Sequence, residues 1–141
     1  MRFVYPYSVK QSADGAWQVR FKDVPEALTE GATAAEAHAL ATDALLAALG
    51  GLTKLKRDLP APSAAGDFCV VVPILQSAKL ALYQAMREAG LNKVTLAHQL
   101  GKQEGEVRRM LDLDHSTRVE SLEQALGHLG KQIASEVREA A

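Results

Sequence analysis

Gln103, Arg108 and Arg109 lie close together in the stretch NKVTLAHQLGKQEGEVRRMLDL, Asn92 to Leu113, and their side chains suit the edges of nucleic-acid bases. An arginine fork donates two hydrogen bonds to guanine O6 and N7, and a glutamine amide matches adenine N6 and N7. That chemistry needs a helix whose outward face can enter a major groove. The apolar residues around these groups are spaced to supply one. Leu96, Ala97 and Leu100 share one face of a first helix, Gly101 closes it, and Val107, Met110 and Leu111 give a second helix a matching apolar face. This is the pattern of a helix-turn-helix unit, and an ordinary helical hairpin would carry it too.

The second helix of the pair is expected over Gln103 to Leu111. Positions 102, 105 or 106 and 109 fall on one side of it, which makes Arg109 the candidate for base reading, a contact worth about 1–3 kcal/mol of discrimination. Lys102, Arg108 and Arg118 read as phosphate contacts, which position a protein on DNA without specifying sequence. Arg108 has an alternative, an i,i+4 ion pair with Glu104. Glu104 either accepts from cytosine N4 or acts as an acid that stabilises the helix N-terminus. Gly105 weakens the helix by up to about 1 kcal/mol relative to alanine, and it permits close approach to a backbone.

Charge bears on that reading. The chain of 141 residues has a formal net charge of −1. Residues 1–66 carry seven basic and seven acidic side chains, and residues 67–141 carry nine and ten. Between Asn92 and Arg118 the balance is five basic against four acidic. DNA affinity would therefore depend on local placement of cations and on dimerisation rather than on a broad positive field. A hydrophobic content of 48% is enough for a packed core in one ordinary domain or two small ones. No apolar run approaches the roughly 18 residues of a membrane span, and MRFVYPYSVK lacks the apolar segment of a secretory signal, so a cytoplasmic protein with no membrane partner is expected.

Other chemistry finds little support. Asp14, Asp23 and Glu26 are carboxylates of the kind that hold metal ions for nuclease chemistry. Asp14 stands beside Gly15, where a turn explains it. His38, His98, His115 and His128 do not form the pattern of a closed metal site. No phosphate-cradling glycine loop and no recognised nucleophile motif occurs, so neither enzyme activity nor a cofactor or metal is expected. Cys69, the single cysteine, sits in the apolar run FCVVV and reads as a buried, inert thiol.

The elements that must position these groups follow from periodicity. Phe3, Tyr5, Tyr7 and Val9 alternate as in a strand, with Pro6 pointing to an edge or a bulge. Ser12 to Gly15 turn the chain, and Trp17, Val19 and Phe21 continue it as a hairpin. Ala27 to Glu30 offer a third strand. Thr33 and Glu36 have the spacing of a capping box, followed by a stripe at Ala37, Leu40, Ala41, Ala44, Leu45, Ala48 and Leu49 that Gly50 and Gly51 are expected to stop. Pro60 to Gly66 read as a loop without packing. Phe68 to Ile74 read as a strand buried on both faces. A helix with Leu80, Tyr83 and Met86 should then run to Gly90, Asn92 should cap the next, and Ser121 with Gln124 suggests a second box before a last helix. A boundary near Ile74 separates residues 1–74 from an all-helical 75–141.

With those elements in place, the chain resembles the HicB antitoxins over almost its whole length. The resemblance is carried by the hairpin, by FKDVPEALTEGATAAEA leading into a helix, by CVVVP before QSAKLALYQAMREAGLNKVTLAHQLG, and by VRRMLDLDHSTRVESLEQALGHLG. The last segments look like the variant of the family with a repressor-type helix-turn-helix. The resemblance implies an α+β chain: a partial RNase H-like β-β-β-α-β domain that binds and inactivates a small HicA-type mRNA-cleaving toxin, then a helical domain that represses the operon of the pair. For toxin binding, Asp14, Asp23, Glu26 and Glu30 are the candidate contacts, because carboxylates can cover the basic surface of a ribonuclease. A homodimer or higher homo-oligomer is expected, since one helix pair reads only a half-site of operator DNA. A stand-alone transcription regulator with a ligand-sensing first half is the alternative.

Overall fold

Alternating side chains in the first seventy residues can bury only one face of a sheet, and the helix between the third and fourth strands supplies the cover. The computed structural model describes residues 1–64 and 66–140. They form two compact units, Met1–Ser77 and Ala78–Ala141. The first contains β1 (Val4–Gln11), β2 (Trp17–Phe21), β3 (Leu28–Gly31), α1 (Ala34–Lys54) and β4 (Phe68–Val71). The helices α2 (Ile74–Ala89), α3 (Lys93–Leu100), α4 (Glu104–Leu111) and α5 (Val119–His128) follow. The architecture is α+β.

The sheet is antiparallel throughout, in the order β3-β2-β1-β4. Tyr5, Tyr7, Val19, Phe21 and Val70 lie on its covered face and are buried, as Ala37, Ala41, Leu45, Leu49 and Leu52 are along α1. Small residues at the start of α1 let the helix approach closely. A Cβ on Gly31, at the end of β3, would lie 2.6 Å from the backbone nitrogen of Ala37, so the strand-to-helix turn tolerates no side chain there. The capping box forms: Thr33 Oγ1 accepts from Glu36 N at 3.1 Å, and the Glu36 carboxylate accepts from Ala32 N at 3.1 Å.

Several expectations need correction. Pro6 is not on an edge strand, because β1 lies between β2 and β4. The bond from Val72 N to Phe3 O sets the alternation of the β1–β4 ladder, so Pro6 occupies a non-bonded pair and its missing donor points away from β4. On that side the β1–β2 register begins only at Tyr7, and no ladder bond is lost. Phe68 to Ile74 is not a strand buried on both faces. It is an outer strand ending at Val71, with Phe68 44% and Val71 58% exposed, because only β1 flanks it and α1 covers one face. Cys69 points from the uncovered face and is exposed, not buried. Gly50 and Gly51 do not stop α1, which continues to Lys54 because Leu52 still has a core to enter. Glycine lowers helix stability without forbidding the helix.

The proline-rich loop also packs. Tyr5 Oη donates to Pro60 O at 2.7 Å, and the Asp23 carboxylate accepts from both Ser63 N (2.8 Å) and Ser63 Oγ (2.9 Å). Ala65, part of the segment read as a loop, lies outside the described residues. Burial of the Tyr5 phenol, with a smaller contribution from the Asp23 charge, pushes its pKa up to about 12. A phenol whose folded pKa exceeds its unfolded value of 10 contributes stability that is fully present below pH 10 and lost as pH rises through about 12. Alkaline titration of thermal or urea stability should therefore show a loss of about 2–3 kcal/mol across that window. Tyr5→Phe should flatten that slope while costing about 1 kcal/mol at neutral pH through the missing hydrogen bond.

Candidate functional site

In the second unit, three helix ends share one design. The helices α2, α3 and α5 each finish at a glycine in the left-handed region, Gly90 (φ 66°), Gly101 (φ 66°) and Gly130 (φ 76°). In each case the following amide reaches back: Leu91 N to Met86 O, Lys102 N to Ala97 O and Lys131 N to Leu126 O. These are Schellman closures, and they satisfy carbonyls that a helix end leaves without partners. The expected cap of α3 is present, with Asn92 Oδ1 accepting from Thr95 N at 2.8 Å. The expected box at Ser121 is not, because α5 starts two residues earlier at Val119 with Arg118 as an N-cap that makes no side-chain bond.

The helix α4 ends differently. Its C-cap is Asp112 in an extended conformation, and a lysine from α2 takes the place of a glycine closure. Lys79 is completely buried and donates to Arg109 O (2.7 Å), Asp112 O (2.8 Å) and Thr117 Oγ1 (2.7 Å). Burial lowers its pKa below the usual 10.5, while the Asp112 charge acts in the opposite direction. Sequence reading missed this residue, although a signal existed. Lys79 falls in the middle of the apolar stripe Leu75, Leu82, Tyr83 and Met86, where a cation is found only if its ammonium has partners.

The outward face of α4 brings most of the candidate DNA-contacting residues together. Val107 and Met110 are buried beneath it, while Arg108 and Arg109 are exposed. Gln103 is the N-cap and makes no side-chain cap bond. Arg108 pairs with Glu104 (2.5 Å) and Lys102 with Glu106 (3.7 Å). Arg109 has no ion pair among the described residues. A Cβ at Gly105 would meet only Arg109 Nη1 (3.5 Å) and Arg108 Nη2 (3.7 Å), so both guanidinium groups reach over the first turn and nothing in the fold demands glycine there. Arg118 stands apart at the start of α5, 3.9 Å from Glu120.

The candidate toxin contacts in the first unit do not form one cluster. Asp14 closes the hairpin turn, accepting from Ser12 Oγ and from Ala16 N. The Ser12 bond, then that to Ala16, hold its pKa below the usual carboxylate value. Glu30 lies near the same end of the sheet, opposite Gln18. Asp23 and Glu26 lie in the β2–β3 connection at the far end, the length of β2 away, roughly 15 Å. Asp23 is engaged by Ser63, whereas Glu26 and Glu30 are exposed. No group of three or more potential metal ligands occurs among the described residues, and no helix is long and apolar enough to cross a membrane.

A protein-family model described as HicB_like antitoxin of bacterial toxin-antitoxin system matches residues 4–81. The chain belongs to the HicB-like antitoxin family. Similarity to HicB antitoxins extends well beyond that segment. Antitoxin HicB 2 of Photorhabdus laumondii is 38% identical over 92% of both chains. Antitoxin HicB of Escherichia coli K12 is 33% identical over 92% of this chain and 96% of its own. Antitoxin HicB of Pseudomonas fluorescens is 32% identical over 98% and 96% respectively. This chain is accordingly an antitoxin of a toxin–antitoxin system. In this HicB-like chain, Lys79→Met should leave the carbonyls of Arg109 and of the C-cap Asp112 without their buried donor. The expected cost is about 2–4 kcal/mol in the second unit, read as faster amide exchange in the last turn of α4 with the first unit's exchange unchanged.

Proposed function

We propose that this antitoxin neutralises a small mRNA-cleaving ribonuclease of the HicA type through its first unit and represses the operon of the pair through its second. The observation that carries the DNA-reading half is α4 itself: a short helix pinned at its C-terminal end by Lys79, following the tight turn after α3, with Arg109 exposed and unpaired on its outer face. In this reading α3 and α4 are a helix-turn-helix, α4 enters the major groove, and Arg109 pairs with guanine. Lys102, Arg108 and Arg118 lie against phosphates, with Gln103 at the groove floor and Glu104 beside Arg108. Two copies bind the two halves of an operator. For the toxin, the exposed carboxylates Glu26 and Glu30, with Asp14 at the hairpin tip, offer acidic contacts to a basic nuclease surface, and Asp23, near Glu26, holds Ser63 of the loop after α1.

The reading is tested with the full chain. Co-expression with the product of the adjacent reading frame should give a complex that survives purification and restores growth, and failure on both counts sinks the toxin-binding half. In promoter binding, Arg109→Ala should lower the preference for the promoter over a scrambled duplex by about 1–3 kcal/mol. Arg108→Ala should weaken both duplexes alike and make the dependence of log affinity on log salt shallower, by less than the about 0.9 of one fully neutralised phosphate because Glu104 shares the cation. Unchanged binding in both variants sinks the DNA-reading half.

A further inference from the structure

The cations on the α4 face are not equivalent: Lys102 and Arg108 are each paired with an acid four residues away, and Arg109 is not. We propose that Glu104 and Glu106 are specificity-determining residues, which suppress sequence-independent DNA binding by holding Arg108 along the helix and Lys102 at its start. Arg109 is then the cation whose pairing with a base decides whether α4 stays bound. The inference rests on the DNA-reading function proposed above and names what makes that reading selective.

Sequence-independent affinity for DNA comes from counterions released as phosphates are neutralised by free lysine and arginine. A cation already neutralised by its own carboxylate contributes less, because that partner must be given up first. The exposed carboxylate then faces the phosphates and repels them unless a correct base contact compensates, and a contact that penalises the wrong partner is how discrimination is built. Helix stability does not account for both pairs. Both acids lie in the first turn, where the helix dipole favours them, and Glu104 precedes Arg108 in the favourable order, but Lys102 lies in the turn before α4, so its pair with Glu106 lends the helix no such support. Neither carboxylate bonds a backbone amide among the described residues, and Gln103 leaves the helix start without a side-chain cap. The acids are placed where they meet the cations rather than where they would close the helix.

The test uses the full chain, fluorescence anisotropy, its own promoter duplex and a scrambled duplex of equal length, at several salt concentrations. In Glu104→Gln/Glu106→Gln, affinity for the scrambled duplex should rise about tenfold and the salt slope should steepen, by at most about 0.9 for each of the two cations freed. The ratio of promoter to scrambled affinity should fall. Glu104→Gln alone, which frees only Arg108, should give about half of the slope change. Glu88→Gln/Glu136→Gln makes the same change in net charge by freeing Lys131 and Arg138, and should leave slope and ratio at their wild-type values. If the wild type binds its promoter but the α4 variants keep the wild-type slope, or the control pair matches their effect, the inference fails and the DNA-reading function stands. If neither wild type nor variants bind the promoter at any salt concentration, that function fails and this inference with it.

Discussion

The ammonium of Lys79 and its three oxygen acceptors are the constraint on which the geometry of α4 depends. Taking an ammonium out of water costs several kcal/mol even after relaxation, and only a full set of hydrogen bonds offsets that. Here each of the three donors has an acceptor, drawn from the last turn of α4, its C-cap and the segment entering α5. A helix of eight residues is too short to hold its shape alone. Its place is set by what lies outside it, namely the apolar packing of Val107 and Met110 and the grip on its C-terminal carbonyls. Arg109 joins the two roles, with its carbonyl fixed by Lys79 and its guanidinium in solvent.

The first unit uses a charge for the same purpose with the sign reversed. The Asp23 carboxylate takes two hydrogen bonds from Ser63, and Tyr5 takes the carbonyl of Pro60. Together they fasten to the sheet a connection that has no regular structure of its own. The Asp23 charge also helps to keep the Tyr5 phenol neutral, so the two fastenings are electrostatically linked as well as close in space. A carboxylate with such a task is poorly suited to be surrendered to a partner. Glu26 and Glu30, which have no hydrogen-bond partner among the described residues, are chemically available for one.

Local rules in the sequence foretold much of this fold, and the failures share one cause. The capping box at Thr33 and Glu36, the Asn92 cap and the closure at Gly101 depend on residues a few positions apart, and all three form. The order β-β-β-α-β follows from alternation and periodicity. What sequence could not give was the neighbour across space. An apolar run such as FCVVV reads the same whether one strand or two flank it, and only the position of β4 outside β1 leaves Phe68, Cys69 and Val71 exposed. Pro6 reads as an edge signal until the lengths of its two neighbours are known. Lys79 was legible in principle, as a cation inside an apolar stripe, but its acceptors lie 30 to 38 residues away.

Near-neutrality is a property of each half, with seven basic and seven acidic residues in the first and nine and ten in the second. In the function proposed above, one surface meets a basic nuclease and another meets DNA, and the two make opposite electrostatic demands. A strong field of either sign would serve one partner and hinder the other. Beyond a Debye length of about 8 Å at physiological salt such a field is in any case screened. Pairing Lys102 and Arg108 locally, as Glu106 and Glu104 do, weakens the long-range attraction and, in the proposed function, leaves recognition to contacts at hydrogen-bond distance. Those contacts demand fixed geometry, because an arginine fork matches guanine only when its helix is held at the right depth and angle. In that proposed function the buried lysine behind α4 and the paired charges on its surface answer one requirement: where long-range attraction is weak, selectivity has to come from a rigidly placed helix.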